Sequence, residues 1–257
     1  MALVAGSARA GQPFWLPSSP EPSPYGYGAG TGGLYPEPMQ PSMRGRRPPA
    51  TGGGLYGPVA GEPFPVPGLK PSIVPEAFHR TVVAYDSGEA PGTILVDPRS
   101  HYLYFMNGDG SAIRYGVGVG RSGFGWSGVA NVRTKQAWPD WYPPKEMLER
   151  QPDLAAKMQD LQSGIGMPGG PGNPLGARAL YLWQGNKDTL YRIHGTVEPW
   201  TIGKSVSSGC IRMINQDVID LYDRVPVGAK VIVAGSATPT AKVRRRRRDD
   251  DIDDAAL

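Results

Sequence analysis

Between residues 11 and 70, 27 of the 60 positions are glycine or proline. That density lies well above the roughly 25–30% that marks low-complexity sequence. Proline removes backbone donors and glycine raises the entropy lost on ordering, so such a stretch cannot found a hydrophobic core. Folding is left to the residues that follow it. Trp15, Tyr25, Tyr27, Tyr35 and Tyr56 interrupt the stretch, but its composition favours a flexible spacer with a reach of roughly 40–45 Å.

Beyond residue 74 the pattern changes. Residues 80–85, 93–97, 101–106, 112–119, 179–183, 190–194 and 230–234 are short β-branched or aromatic runs separated by Gly, Pro, Asn and Asp, the pattern of strands and turns. Asn107-Gly108, inside the run 106–110, is a hairpin signal. Helical spacing appears over 145–162, with a break at Pro152, and over 216–225, with Asn215 as N-cap. The glycine-rich run 116–125 lacks the Gly-Lys-Ser/Thr ending of a phosphate loop and leads into strand-like sequence, so it reads as sheet edge and groove wall. The expected fold is mostly β, a mixed β-sandwich over 75–236 with one or two inserted helices. It is preceded by a flexible, disordered Pro/Gly-rich linker at 11–74 and followed by a charged, disordered tail at 237–257.

The formal net charge of +4 is modest. Five arginines, Arg244 to Arg248, meet Asp249, Asp250, Asp251, Asp253 and Asp254, so the tail is locally neutral and nucleic acid is not the expected partner. Residues 1–10 resemble the remnant of a secretory signal, with a small-x-small site at Ala8-Arg9-Ala10. No stretch approaches the roughly eighteen apolar residues of a transmembrane span. Three histidines without paired ligand spacing and one cysteine make no metal pattern, and no cofactor is expected.

The one cysteine, Cys210, stands in Ser207-Ser208-Gly209-Cys210-Ile211-Arg212-Met213, sixteen residues after His194-Gly195-Thr196. A lone cysteine is more often a small buried hydrophobe than a nucleophile. Here a glycine precedes it, allowing close approach of a substrate, and Arg212 follows, able to grip a carboxylate. A thiol attacks an acyl carbon as thiolate, and His194 is the candidate base. His79 and His101 lie at element edges and read as surface or capping residues.

The ordered set of His194-Gly195-Thr196, the Ser-x-Gly-Cys-Ile-Arg-Met run, the helix after it, Asn173-Pro174-Leu175-Gly176 and Val227-Gly228-Ala229-Lys230-Val231 resembles the L,D-transpeptidase family, whose catalytic domain is called YkuD-type. The resemblance spans roughly residues 80 to 235. It implies a β-sandwich catalytic domain and a cysteine-dependent acyltransferase acting on peptidoglycan stem peptides in the periplasm or cell envelope. Cys210 would be the nucleophile, forming a thioester with a tetrapeptide donor and releasing D-alanine. His194 would be the general base and acid, oriented by the Gly195 carbonyl. Gly209 and Cys210 would offer oxyanion N–H groups, Ser207, Ser208 and Trp200 would line the substrate, and Arg212 would contact the donor stem or brace the loop. A second stem or an envelope protein would be the acyl acceptor, and carbapenems would acylate the thiol. Many members carry histidine where this chain has Ser208. The alternatives are an L,D-carboxypeptidase, with water resolving the thioester, and a non-catalytic wall-binding module.

Overall fold

The computed structural model describes residues 55–70, 72–121 and 126–235. The signal-like start, the Gly/Pro-rich sequence up to residue 54 and the Arg/Asp tail lie outside these residues. The strands are β1 (Thr81–Ala84), β2 (Ile94–Asp97), β3 (Tyr102–Met106), β4 (Ser111–Gly116), β5 (Val119–Gly120), β6 (Gly128–Ala137), β7 (Gln159–Leu161), β8 (Gly164–Gly166), β9 (Arg178–Gln184), β10 (Lys187–His194), β11 (Ser205–Ser207), β12 (Ile211–Arg212) and β13 (Lys230–Val233). The helices are α1 (Lys145–Arg150), α2 (Pro152–Ala155) and α3 (Asn215–Arg224). No helix among the described residues is long and apolar enough to cross a membrane.

Nine strands form one mixed sheet in the order β1-β4-β3-β2-β13-β6-β9-β10-β12, so the mostly β expectation holds. β13 lies parallel to β2 and antiparallel to β6, and β12 lies parallel to β10. In a flat sheet, strands six places apart, such as β4 and β10, would be about 29 Å apart. Instead, Tyr115 of β4 and Ile193 of β10 share one buried cluster with Ile94, Leu103, Leu182, Val218 and Leu221. The sheet therefore curls, as right-handed strand twist favours. Gly118 and Arg212 meet in a bridge, with Gly118 N donating to Arg212 O at 2.9 Å and Arg212 N to Gly118 O at 2.8 Å. A Cβ on Gly118 would stand 2.8 Å from the Thr201 carbonyl oxygen. Close backbone approach, rather than phosphate binding, accounts for that glycine.

α3 lays Val218 and Leu221 into the core, carries Asp217 in its first turn and Arg224 in its last, and gives way at Val225 before Pro226. Its N-cap is Ile214, without a side-chain cap bond. The expected cap, Asn215, instead accepts the Ala177 N–H on Oδ1 at 3.0 Å. The helical stretch expected over 145–162 does break at Pro152, but it is helical only as far as Ala155. Proline at 152 lacks an N–H, and Gln151 before it leaves helical dihedrals (φ −133°, ψ 78°). α1 and α2 are therefore short, and the remainder forms the β7–β8 hairpin around Gly164.

Residues 55–70, expected as part of the linker, pack on the domain. Val59 N donates to Val66 O at 3.0 Å and Leu69 N to Tyr56 O at 2.9 Å. Val66 is buried with Trp138 and Ala177, and Tyr56 and Leu69 pack against Val74, Ile202 and Ile214. The Glu62 carboxylate accepts Trp138 Nε1 and Arg178 Nη1, both at 2.8 Å, and pairs with Arg178 Nη2 at 2.5 Å. Gln216 Nε2 donates to the Pro67 carbonyl at 3.0 Å. Prolines preset an extended backbone that loses little further entropy on docking, so a segment unable to found a core can still join one.

Candidate active site

His194 closes β10, and β12 runs parallel beside it, with Ile193 opposite Ile211 and His194 opposite Arg212. Met213 N donates to the His194 carbonyl at 2.8 Å. The connection between them is pinned along its length: a 3-10 turn over Pro199–Thr201, then β11 parallel to β5. Cys210, immediately before β12, is thereby carried on the strand next to the histidine.

The His194 ring is buried, and its Nδ1 lies 2.6 Å from the Gly195 carbonyl oxygen. A carbonyl only accepts, so Nδ1 carries the proton and Nε2 keeps a free lone pair. Burial depresses the imidazole to about 4, against the Gly195 hydrogen bond and with the help of the Arg212 and Arg192 charges. At neutral pH the ring is an uncharged base. Gly195 is packed too closely for a side chain: a Cβ there would meet Asn215 Oδ1 at 2.3 Å and Ala177 N at 3.0 Å. Asn215, displaced from its expected capping role, thus lies against the peptide that orients the ring.

Cys210 is half-buried and unpaired with any other cysteine. Burial raises its thiol above the ordinary value. The Arg192 backbone and the charges of Arg192 and Arg212 oppose this, while Asp188 adds to it. Sγ makes its hydrogen-bond contact with the Leu190 carbonyl at 4.0 Å. Ser207, buried, donates from Oγ to the Cys210 carbonyl at 2.6 Å and accepts the Gly209 N–H at 3.1 Å. Its geometry is that of a loop brace. The Gly209 N–H is therefore already engaged and cannot serve an oxyanion without releasing Ser207, whereas the Cys210 N–H donates to no acceptor among the described residues. Ser208 is exposed.

Arg212 extends Nη1 to Glu198 Oε2 at 2.8 Å, joining β12 to the turn that carries Trp200. Trp200 is 54% exposed and stands on an apolar cavity of about 270 Å³ lined also by Val66, Leu69, Trp138, Val197 and Ile214. Neither Cys210 nor His194 lines that cavity. His79 and His101 are tied elsewhere, to the Val74 carbonyl and to Ser205 Oγ, each at 3.0 Å. The residues that sequence reasoning missed are Asp188 and Arg192. Their carboxylate and guanidinium pair through two contacts of 2.8 Å beside the thiol.

Residues 91–233 match the family model of the L,D-transpeptidase catalytic domain, YkuD. The chain is 33% identical over 144 residues to the probable L,D-transpeptidase YbiS of Escherichia coli, covering 54% of this chain and 43% of that protein. It is 29% identical over 186 residues to a putative L,D-transpeptidase of Fuscovulum blasticum, covering 68% and 90%. A solved chain from Brucella melitensis, described as a probable carnitine operon oxidoreductase, is 52% identical over 63% of this chain and 97% of that one, with a TM-score of 0.42. The chain spans less than half the length of the first curated relatives it matches.

Proposed function

Because the chain belongs to the L,D-transpeptidase family, we propose that Cys210 and His194 transfer an acyl group from a peptidoglycan tetrapeptide stem to an amine. Nε2 takes the thiol proton as Sγ attacks the carbonyl carbon of the stem's diamino acid. The carbon–sulfur bond forms, the carbon–nitrogen bond to the terminal D-alanine breaks, and the imidazolium returns its proton to the departing amine. An acceptor amine then attacks the thioester and displaces the thiolate, which recovers the proton. The developing oxyanion is met by the Cys210 N–H. Arg212 braces the loop through Glu198 and adds positive charge near the reacting groups.

One observation carries this reading: an uncharged imidazole, its Nδ1 proton spent on the Gly195 carbonyl, sits on the strand beside the one that follows the chain's single thiol. A resting pair of neutral thiol and neutral imidazole suits base-assisted attack rather than a stored ion pair. A substrate of this class lies in the cell envelope, which is where the reading locates the protein. The test is incubation with a disaccharide tetrapeptide and mass spectrometry of products. Release of D-alanine with a cross-linked or amine-coupled product is expected. A tripeptide alone would make water the acceptor, and equal product from Cys210→Ala would remove the mechanism.

A further inference from the structure

β10 does not pair evenly with β9. Asp188 is opposite Trp183 and Arg192 opposite Tyr181, so β10 advances four residues while β9 advances two. The extra length is taken up by a bulge whose centre, Leu190, has φ of 62°. A non-glycine residue seldom adopts that left-handed conformation, and bulges and strained residues of this kind cluster beside reactive groups.

Side chains of the bulge replace the missing ladder. Asp188 Oδ1 accepts the Leu190 N–H at 2.8 Å and Arg192 Nη1 at 2.8 Å, while Oδ2 accepts Arg192 Nη2 at 2.8 Å. Thr189 Oγ1 donates to the Leu182 carbonyl at 2.6 Å and accepts the Tyr191 N–H at 3.2 Å. The Arg192 guanidinium lies 4.5 Å from the centre of the Tyr181 ring. At the centre of this arrangement the Leu190 carbonyl oxygen lies 4.0 Å from Cys210 Sγ and accepts from it.

We propose that the bulge between Asp188 and Arg192 is a positioning device for the nucleophile, in which Asp188 fixes the left-handed turn at Leu190 and the Leu190 carbonyl holds the thiol in one rotamer. Fixing the sulfur before substrate arrives removes orientational freedom that attack would otherwise have to remove. A carbonyl accepting from Sγ favours the protonated thiol, while the Arg192 backbone and the charges of Arg192 and Arg212 favour the thiolate. The charged and titratable groups around the sulfur are Asp188 and Arg192 on β10, Arg212 on β12 with its partner Glu198, and the His194 ring. Asp188 and Leu190 are positioning residues, since they act through Cys210. The inference rests on Cys210 being the nucleophile of the proposed function.

Because the chain has one cysteine, iodoacetamide reports on this thiol alone. The rate of alkylation against pH is measured for the full chain and for Leu190→Val, Leu190→Gly, Asp188→Ala and Asp188→Asn, beside acylation by the tetrapeptide and thermal unfolding. Valine resists a positive φ, whereas glycine adopts it freely. Leu190→Val should move the alkylation midpoint down by about half a pH unit, because the neutral thiol loses its acceptor. Leu190→Gly should acylate at least about fivefold faster than Leu190→Val, given that a fixed nucleophile geometry controls rate. Asp188→Asn, which keeps an acceptor for the Leu190 N–H, should likewise outperform Asp188→Ala. Equal behaviour within each pair, or altered unfolding with unmoved alkylation midpoints, would overturn the proposal. Alkylation needs no stem peptide, so a tetrapeptide that fails to react with the unsubstituted protein overturns the transpeptidase reading instead, and the midpoints still judge this one.

Discussion

Replacing Glu62 with alanine tests whether residues 55–70 are a structural part of the catalytic domain. The side chains of Glu62 and Arg178 are only 10% and 11% exposed. Removal of the carboxylate takes the acceptor from the Trp138 indole N–H and leaves the guanidinium with the Ala177 carbonyl, 2.8 Å from Nη1, and the Tyr222 ring at 5.2 Å. Breaking a buried pair by deleting one partner costs about 3–5 kcal/mol. The residual exposure lets water reach the guanidinium and sets the expectation at the lower end, about 3 kcal/mol. At roughly 2–4 °C per kcal/mol for a domain of this size, Tm should fall by roughly 6–12 °C. Burial pushes the Glu62 carboxyl up, but hydrogen bonds from Arg178 and Trp138 and the Arg178 charge bring it below its ordinary 4.5. Its contribution is therefore complete above about pH 4.5 and is lost as pH falls through the lower folded-state value. Thermal unfolding at pH 7, followed by circular dichroism, compares the parent with Glu62→Ala, Glu62→Gln and a chain starting at residue 75. Glutamine, which keeps an acceptor for Trp138, should lose less than alanine, and the shortened chain should lose most. A Tm for Glu62→Ala within about 2 °C of the parent would refute the reasoning, because that is the scale of a surface change.

Cys210→Ala should fold normally and yield no thioester on incubation with tetrapeptide. An adduct on the variant, seen by intact-protein mass spectrometry, would contradict the proposed role. His194, near 4 when folded against an ordinary 6.5, takes up a proton more readily in the unfolded chain. Its contribution to stability is thus present above about pH 6.5 and is lost as pH falls toward 4. Relative to His194→Gln, the parent should lose roughly 2 kcal/mol between pH 7 and pH 5, and parallel urea-unfolding curves for the two proteins would exclude it. A carbapenem should add once, on Cys210, and more readily than a penicillin; peptide mapping that locates the adduct on another residue would count against the assignment.

What could be read from the sequence followed the range of the forces involved. Strands β2, β3, β9 and β13 announce themselves through apolar residues that the sheet buries, and the link between His194 and Cys210 is carried by short, ordered motifs. β6 is the longest strand and lies mid-sheet, yet Arg133, Thr134, Lys135 and Gln136 give it little apolar alternation. Only strand-like character after the glycine run was legible there. The Gly/Pro content of 55–70 describes the cost of ordering but not the docking of Tyr56, Val59, Val66 and Leu69 on distant residues. Neither the bulge at Leu190 nor the diversion of Asn215 to Ala177 has a local signature. Leucine gives no sign of a positive φ, and an asparagine before a helix reads as a cap until a competing N–H appears from elsewhere in the fold.

The place of β13 has a temporal consequence. Among the described strands it is the last in sequence but the middle one of the sheet, where Val231 faces Ile94 on one side and Ala130 on the other, 137 and 101 positions away in sequence. Until it arrives, β2 and β6 have no strand to bridge them, and the two halves of the sheet meet through contacts such as the Gly118–Arg212 bridge rather than through a continuous ladder. Contacts of such long range are slow to form. A chain still being synthesised thus presents Cys210 before the sheet that carries the neighbouring His194 is continuous, and that sheet is completed only with residues 230–233.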